Sequence, residues 1–236
     1  MKKYLGPTVA VALALAVTAS PMVAQLMGNP VYAPGGSGLT LALDHGAGLN
    51  DASGKTGFFG GRAELGLPII RIGAGFGVYD TKVAGADKET ALAGNLALQI
   101  LGGPVVPVSV SLFAGVGYLK TSVGGSDQTA LSVPIGLALS VNIPTPGFSI
   151  DPWVAPRLQI TRTSNITSDT DVNFGASAGV NFGLPGGLGA HVALDYVMVS
   201  APTGSPLSSS DLSPVLFGVG IHYTISLPGV PIVPGL

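Results

Sequence analysis

The sequence predicts an all-β fold: an antiparallel up-and-down β-barrel of about ten strands that crosses a membrane, with eight strands as the alternative count. Three observations carry that expectation. Large apolar side chains take every second position over ten segments of about ten to thirteen residues, which is the period of a strand and not of a helix. The connections between segments alternate strictly between short turns of Gly and Pro and mostly longer polar stretches. Finally, the 236 residues include only ten basic and twelve acidic side chains, 9% of the chain, against roughly 25% in an average soluble domain. No apolar run beyond the N-terminus approaches the ~20 residues of a membrane-spanning helix, and a 47% hydrophobic content excludes intrinsic disorder.

In chain order, residues 1–24 have the three parts of a secretory signal: Lys2 and Lys3, an apolar stretch from Val9 to Val17, and an exit through Met22-Val23-Ala24, which places cleavage after Ala24. Residues 25–37 form a periplasmic lead segment, 38–226 the barrel and 227–236 a C-terminal tail. The expected strands are 39–49, 56–67, 69–80, 90–101, 108–121, 131–143, 150–162, 172–184, 188–198 and 215–225. The sixth is the clearest: Leu131, Val133, Ile135, Leu137, Leu139, Val141 and Ile143 share one phase, while Ser132, Pro134, Gly136, Ala138, Ser140 and Asn142 share the other. Short turns fall at 66–68, 102–104, 144–147 and 185–187. Longer loops fall at 50–55, 81–89, 122–128, 163–171 and 199–214. Short turns on one rim and long loops on the other are the pattern of outer-membrane barrels, with the long loops outside the cell.

Charge placement separates a barrel in lipid from a soluble sandwich, because both alternate. Eight acids (Asp51, Asp80, Asp87, Glu89, Asp127, Asp169, Asp171 and Asp211) lie in the long connections or at their edges. The other four, Asp44, Glu64, Asp151 and Asp195, share the small-residue phase, as do Arg62, Arg71 and Arg157. Lys120 and Arg162 share the apolar phase, but only at strand ends nearest the long loops. A basic residue at the bilayer midplane costs about 2 to 4 kcal/mol, falling toward zero at the interface, so lipid selects this distribution. The small-residue phase therefore faces inward. Gly73, Gly75, Gly77, Gly115, Gly117, Gly175, Gly179, Gly218 and Gly220 lie on it, leaving room for bulky inward groups such as Arg62, Arg71, Phe113, Trp153 and Arg157.

The signal segment, the ten alternating segments, the two loop classes and the closing stretch Gly218-Val219-Gly220-Ile221-His222-Tyr223-Thr224-Ile225 together resemble the small outer-membrane barrels of Gram-negative bacteria, the OmpA, OmpX and opacity-protein type. The resemblance implies residence in the bacterial outer membrane. Its implied partners are the lipid bilayer and lipopolysaccharide, with the barrel-assembly machinery reading the last strand during insertion. Two departures stand out. Members usually end on a terminal Phe, whereas here Leu227-Pro228-Gly229-Val230-Pro231 and five more residues follow, and no peptidoglycan-binding domain comes after the barrel.

Seven inward charges, Asp44, Arg62, Glu64, Arg71, Asp151, Arg157 and Asp195, are expected to form a structural, nearly neutral network that fills the lumen, since unpaired charges in so narrow a space are costly. Arg157 is expected to pair with Asp151 or another carboxylate. His191, Asp195 and His222 share the inward face of two neighbouring strands and are the sole constellation for a barrel-embedded hydrolase, but no serine is placed as nucleophile. Ser53-Gly54-Lys55-Thr56 imitates the end of a phosphate-binding loop, yet Gly48 stands one residue too far upstream and no helix follows. With no Cys there is no disulfide or thiolate metal site, and no cofactor is expected. After removal of the signal, eight basic residues face twelve acidic ones, which gives no footprint for nucleic acid. The sequence thus points to a non-enzymatic outer-membrane protein with a structural or surface-interaction role through its loops; a narrow porin-like channel for small solutes is the second reading.

Overall fold

The computed structural model describes residues 37–53, 56–80, 88–103, 106–123, 126–164, 169–200 and 212–227. The expected signal segment, its cleavage point and nearly all of the lead segment and tail lie outside the described residues. The strands are β1 (Gly38–Gly48), β2 (Gly57–Gly66), β3 (Ile70–Asp80), β4 (Glu89–Gly103), β5 (Val106–Val123), β6 (Ser126–Val141), β7 (Ile143–Thr145), β8 (Phe148–Ser164), β9 (Asp169–Gly183), β10 (Leu188–Met198) and β11 (Val215–Ile225). The short β7 continues β6 past Asn142, so the wall has ten strands. Each pairs antiparallel with its neighbour in sequence, and β1 pairs with β11 from Leu39↔Ile225 to Gly48↔Leu216, which closes the sheet on itself. The chain is a closed ten-stranded up-and-down barrel, with no free sheet edge.

Side-chain exposure follows the two phases read from the sequence, inverted relative to a water-soluble barrel. On β6, Leu131, Ile135, Leu137 and Leu139 are exposed, while Ser132, Pro134, Ala138 and Ser140 are buried. β8 alternates in the same way, with Trp153, Ala155, Arg157, Gln159 and Thr161 buried and Val154, Leu158 and Arg162 exposed. The interior is therefore polar and small, and the large aliphatic side chains stand on the outside.

Two expected loops are mostly strand. Val123 pairs with Ser126, so the stretch 122–128 is the tip of a β5–β6 hairpin, and β8 and β9 extend to Ser164 and from Asp169 into the stretch 163–171. Ladder hydrogen bonding continues there although the apolar alternation has stopped, because the ladder is made by backbone groups and does not depend on which side chains alternate. Glu89, expected at a loop edge, is instead the first residue of β4 and is buried. Pro134 and Pro156 sit inside β6 and β8. The ladder has gaps beside them, between Ala114↔Ile135 and Gly117↔Ser132 and between Gly136↔Arg157 and Leu139↔Val154. A ring nitrogen has no hydrogen to donate.

Two apolar layers sit inside the lumen. Phe58, Tyr79, Ala91, Leu119 and Leu216 pack together near the long-loop end, with the Phe58 and Tyr79 ring centroids 4.9 Å apart. Ala97, Phe113, Ala138, Trp153, Ala155 and Ala193 form the second layer, lower in the barrel.

Candidate functional site: the filled lumen

Antiparallel register decides which inward side chains can meet. Gly220 on β11 lies between Asp44 on β1 and His191 on β10, each its direct cross-strand partner. A Cβ on Gly220 would fall 2.4 Å from His191 Cε1 and 2.6 Å from Asp44 Oδ1. The missing side chain is what lets the two flanking groups touch: His191 Nε2 lies 2.9 Å from Asp44 Oδ1, with both side chains 1% exposed. Arg62 reaches the same carboxylate from β2, with Nε donating to Asp44 Oδ2 at 3.1 Å and Nη1 to Glu64 Oε1 at 2.9 Å. Asn95 Nδ2 donates to the same Glu64 oxygen at 3.4 Å. Arg71, half-buried on β3, adds its charge on the Glu64 side. The His222 ring stacks on His191 at a centroid distance of 5.9 Å.

A second centre uses the same device on the adjoining stretch of wall, from β8 to β10. Arg157 on β8 is paired in register with Gly175 on β9 and extends over it toward β10. There Nη1 and Nη2 donate to Asp195 Oδ1 and Oδ2 at 2.8 and 2.9 Å. This two-pronged geometry is the strongest that a carboxylate and a guanidinium make. Two more of its donors are used: Nε donates to Gln159 Oε1 at 3.0 Å and Nη1 to Ser177 Oγ at 2.9 Å. Ser177 donates in turn to Asp195, and Gln159 to Ser132. A charge buried this deeply is tolerated only when paired and hydrogen-bonded.

The seven charges named from the sequence thus divide between two centres, with one left apart. Asp44, Arg62, Glu64 and Arg71 belong to the first, Arg157 and Asp195 to the second. Asp151 is not the partner of Arg157; it sits nearer the short turns, accepting from Asn142 Nδ2 and, at 3.4 Å, from Ser149 Oγ. The reason is register: β8 places Asp151 opposite Asn181, six residues below Arg157 on the same strand. Of His191, Asp195 and His222, which share the inward face of neighbouring strands, only the two histidines meet. Asp195 is held by Arg157, and the carboxylate beside His191 is Asp44 from across the barrel closure. Of the Ser53-Gly54-Lys55-Thr56 stretch, Ser53 ends a 3-10 turn that begins at Asp51, Gly54 and Lys55 lie outside the described residues, and Thr56, just before β2, donates from Oγ1 to Ser53 O.

Several lumen residues went unmarked in the sequence, namely Asn95, Gln159, Ser177 and the buried Glu89. The first three share the inward phase of their strands, and that signal could have found them. Trp153 lies over Gly179, where a Cβ would come within 2.5 Å of its ring. Below the charge centres, an open recess of about 510 Å³, its mouth included, faces the short-turn end. Thr40, Glu64, Asp151, Asn181, His222 and Thr224 contribute to its lining. Among the described residues no group of three or more His, Asp or Glu side chains is arranged to hold a metal ion.

No family model matches the chain, and no curated protein sequence matches it. Solved structures do. The N-terminal β-barrel domain of Pseudomonas aeruginosa OprF is 14% identical, with 81% of this chain and 100% of that one covered and a TM-score of 0.37. The outer membrane protease OmpT of Escherichia coli is 11% identical over 83% and 100%, with a TM-score of 0.41. Ail, the attachment invasion locus protein of Yersinia pestis, is 11% identical over 80% and 99%, with a TM-score of 0.35. All three are outer-membrane β-barrels.

Proposed function

We propose that this chain is an integral outer-membrane barrel of a Gram-negative bacterium, closed to solutes and without catalytic activity, whose long loops serve a structural or surface-interaction role. The supporting observation is the pairing of an apolar exterior with a filled interior. Large apolar residues stand exposed around the wall, among them Leu43, Phe76, Leu96, Leu137, Leu158, Phe174, Leu194 and Ile221. A water-soluble monomer rarely shows apolar patches of more than a few hundred Å², whereas a lipid-embedded one requires a continuous apolar band and a closed hydrogen-bond ladder. Lipid is therefore the partner of the outer wall, lipopolysaccharide in the outer leaflet included, and the barrel-assembly machinery is the route of insertion.

The narrow-channel reading draws support from the recess at the short-turn end. Against it stand the Arg62 and Arg157 centres and the aromatic layer of Phe58 and Tyr79, which occupy the lumen above. Among the described residues no lumen geometry favours a hydrolase: the His191 and Asp44 pair faces Arg62 and His222, and Asp195 is committed to Arg157. The deciding experiment reconstitutes the folded protein, identified by a gel mobility that changes on boiling, into planar bilayers. No steady pore current is expected. A steady, ohmic open-pore current would overturn the closed-barrel reading in favour of the channel, and recovery of the native protein as a soluble periplasmic species would overturn the membrane assignment.

A further inference from the structure

We propose that the recess at the short-turn end is a binding site for a small primary amine of the amino-alcohol class, held by its ammonium group against Asp151. That the mouth opens to the periplasm rests on the membrane reading, whereas the chemistry of the recess is the same whether or not the barrel conducts. The charge count singles out Asp151. With the histidines neutral, Asp44, Arg62, Glu64 and Arg71 sum to zero and so do Arg157 and Asp195, which leaves one lumen carboxylate over. Asp151 is 4% exposed, and the groups that donate to it, Asn142 Nδ2 and Ser149 Oγ, are neutral. Among the described residues no cationic side chain pairs with it. A buried carboxylate without a counter-charge is costly, and this one borders open space.

Register explains the space. Around the short-turn end the inward position passes from Ser149 on β8 to Gly183 on β9, Gly189 on β10 and His222 on β11, each the direct cross-strand partner of the next. Two neighbouring strands therefore present no side chain at this level. The gap lies between Ser149 and Asp151 on one side and His222 and Thr224 on the other. Asp151, one inward position further up β8, faces Asn181 across the β8–β9 ladder. His222 leans over Gly189, where a Cβ would fall 2.2 Å from its Nε2. Its ring stacks on His191, and its nitrogens make no hydrogen bond to another described residue. The hydroxyls of Thr40 and Thr224, 2.9 Å apart, complete that side of the recess.

An ammonium group supplies the missing charge together with three N–H donors, and the carboxylate of Asp151 accepts from it more strongly than from any neutral donor. The groups on the other side, the His222 ring and the two threonine hydroxyls, both donate and accept. They suit a hydroxyl on the same molecule, and amino alcohols carry both groups. An anion is disfavoured by Asp151 and by Glu64, whose Oε2 neither Arg62 nor Asn95 uses. A metal ion is disfavoured because the described residues hold no group of three His, Asp or Glu side chains arranged around it. The closed wall stands between the recess and lipid, so the ligand arrives from the aqueous phase.

The test uses the full chain, refolded in phosphatidylcholine nanodiscs and checked for boiling-dependent mobility. Ethanolamine is titrated by isothermal calorimetry at constant ionic strength. Ethylene glycol serves as its uncharged counterpart, tetramethylammonium as a cation without N–H donors and potassium as an inorganic cation. The wild type should bind one ethanolamine and none of the three others comparably. Asp151→Asn should weaken ethanolamine binding on the order of ten- to a hundredfold, the worth of one charge-assisted hydrogen bond. Ser149→Lys, which tethers an ammonium at the neighbouring inward position, should abolish it, and Asp51→Asn, at an exposed site by the long loops, should match the wild type. Absence of ethanolamine binding by the folded wild type, or equal affinity in folded Asp151→Asn, overturns the proposal. If Asp151→Asn does not fold, Ser149→Lys decides, and undiminished binding there overturns it. Potassium or tetramethylammonium competing on equal terms overturns the amine part. A wild type that never reaches the boiling-sensitive state is a different result, which overturns the membrane reading and with it the periplasmic mouth.

Discussion

Removing the Arg157 side chain is the sharpest probe of the filled lumen. In Arg157→Ala, Asp195 loses both oxygens' charged donors at 2.8 and 2.9 Å, while Gln159 Oε1 and Ser177 Oγ each lose a bond from the same guanidinium. Breaking a buried pair by deleting one partner costs about 3 to 5 kcal/mol, because the other charge is left uncompensated. The Arg157 side chain is 0% exposed but that of Asp195 is 13% exposed, so some water reaches the stranded carboxylate and the lower end, about 3 kcal/mol, is expected. The assay is equilibrium urea unfolding of the barrel refolded into phosphatidylcholine vesicles, run as a double-mutant cycle with Asp195→Ala. The two losses should be strongly non-additive, with a coupling of about 1 to 3 kcal/mol, and Arg157→Met combined with Asp195→Leu should recover most of the stability, since an apolar pair leaves no buried charge. Neutralising the exposed Asp51 serves as the baseline. If Arg157→Ala stays within about 1 kcal/mol of the wild type, or the two losses simply add, the pair is not what stabilises this part of the lumen.

Two further outcomes test the wall and the interior. Leu137→Arg, 44% exposed on the outer face of β6, should destabilise the inserted barrel by about 2 to 4 kcal/mol, while Thr129→Arg, on the same face near the long-loop rim, should cost about 0 to 1 kcal/mol; equal costs measured by urea unfolding in vesicles would contradict the depth assignment. Trp153 is the single tryptophan and is 5% exposed inside the barrel, so its emission should be blue-shifted and little quenched by brominated lipid. Gly179→Ala, which puts a methyl 2.5 Å from that ring, should red-shift the emission and cost about 1 to 3 kcal/mol; an unchanged spectrum would show that the ring does not rest on Gly179.

The legible part of this fold is the part set by local backbone geometry. Successive side chains on a strand must point to opposite faces, so Leu131 to Ile143 announces both a strand and its lipid-facing side without reference to any neighbour. The same alternation sorts Asp44, Arg62, Glu64, Arg71, Asp151, Arg157 and Asp195 to the interior. It also puts the glycines among them, which is why room for bulky lumen groups could be read from the chain. Glu89 was missed because a single residue at the head of a strand has too few neighbours in phase to reveal its face.

What only the tertiary structure decided is which inward groups meet. Asp195 faces Arg157 because β9 puts Gly175 and Ser177 between them, and Asp44 meets His191 because the closure of β1 onto β11 puts Gly220 between them. Neither pairing is local: Arg157 and Asp195 are 38 residues apart in sequence. Alternation tells only that a side chain faces inward, not how far up the barrel it stands. That height depends on the register of every ladder around the closed sheet, and a slip of two residues in any one of them would keep each face intact while exchanging every partner. The sequence of this protein therefore determines its two surfaces strand by strand, and the closure of ten strands into one barrel determines the contacts between them.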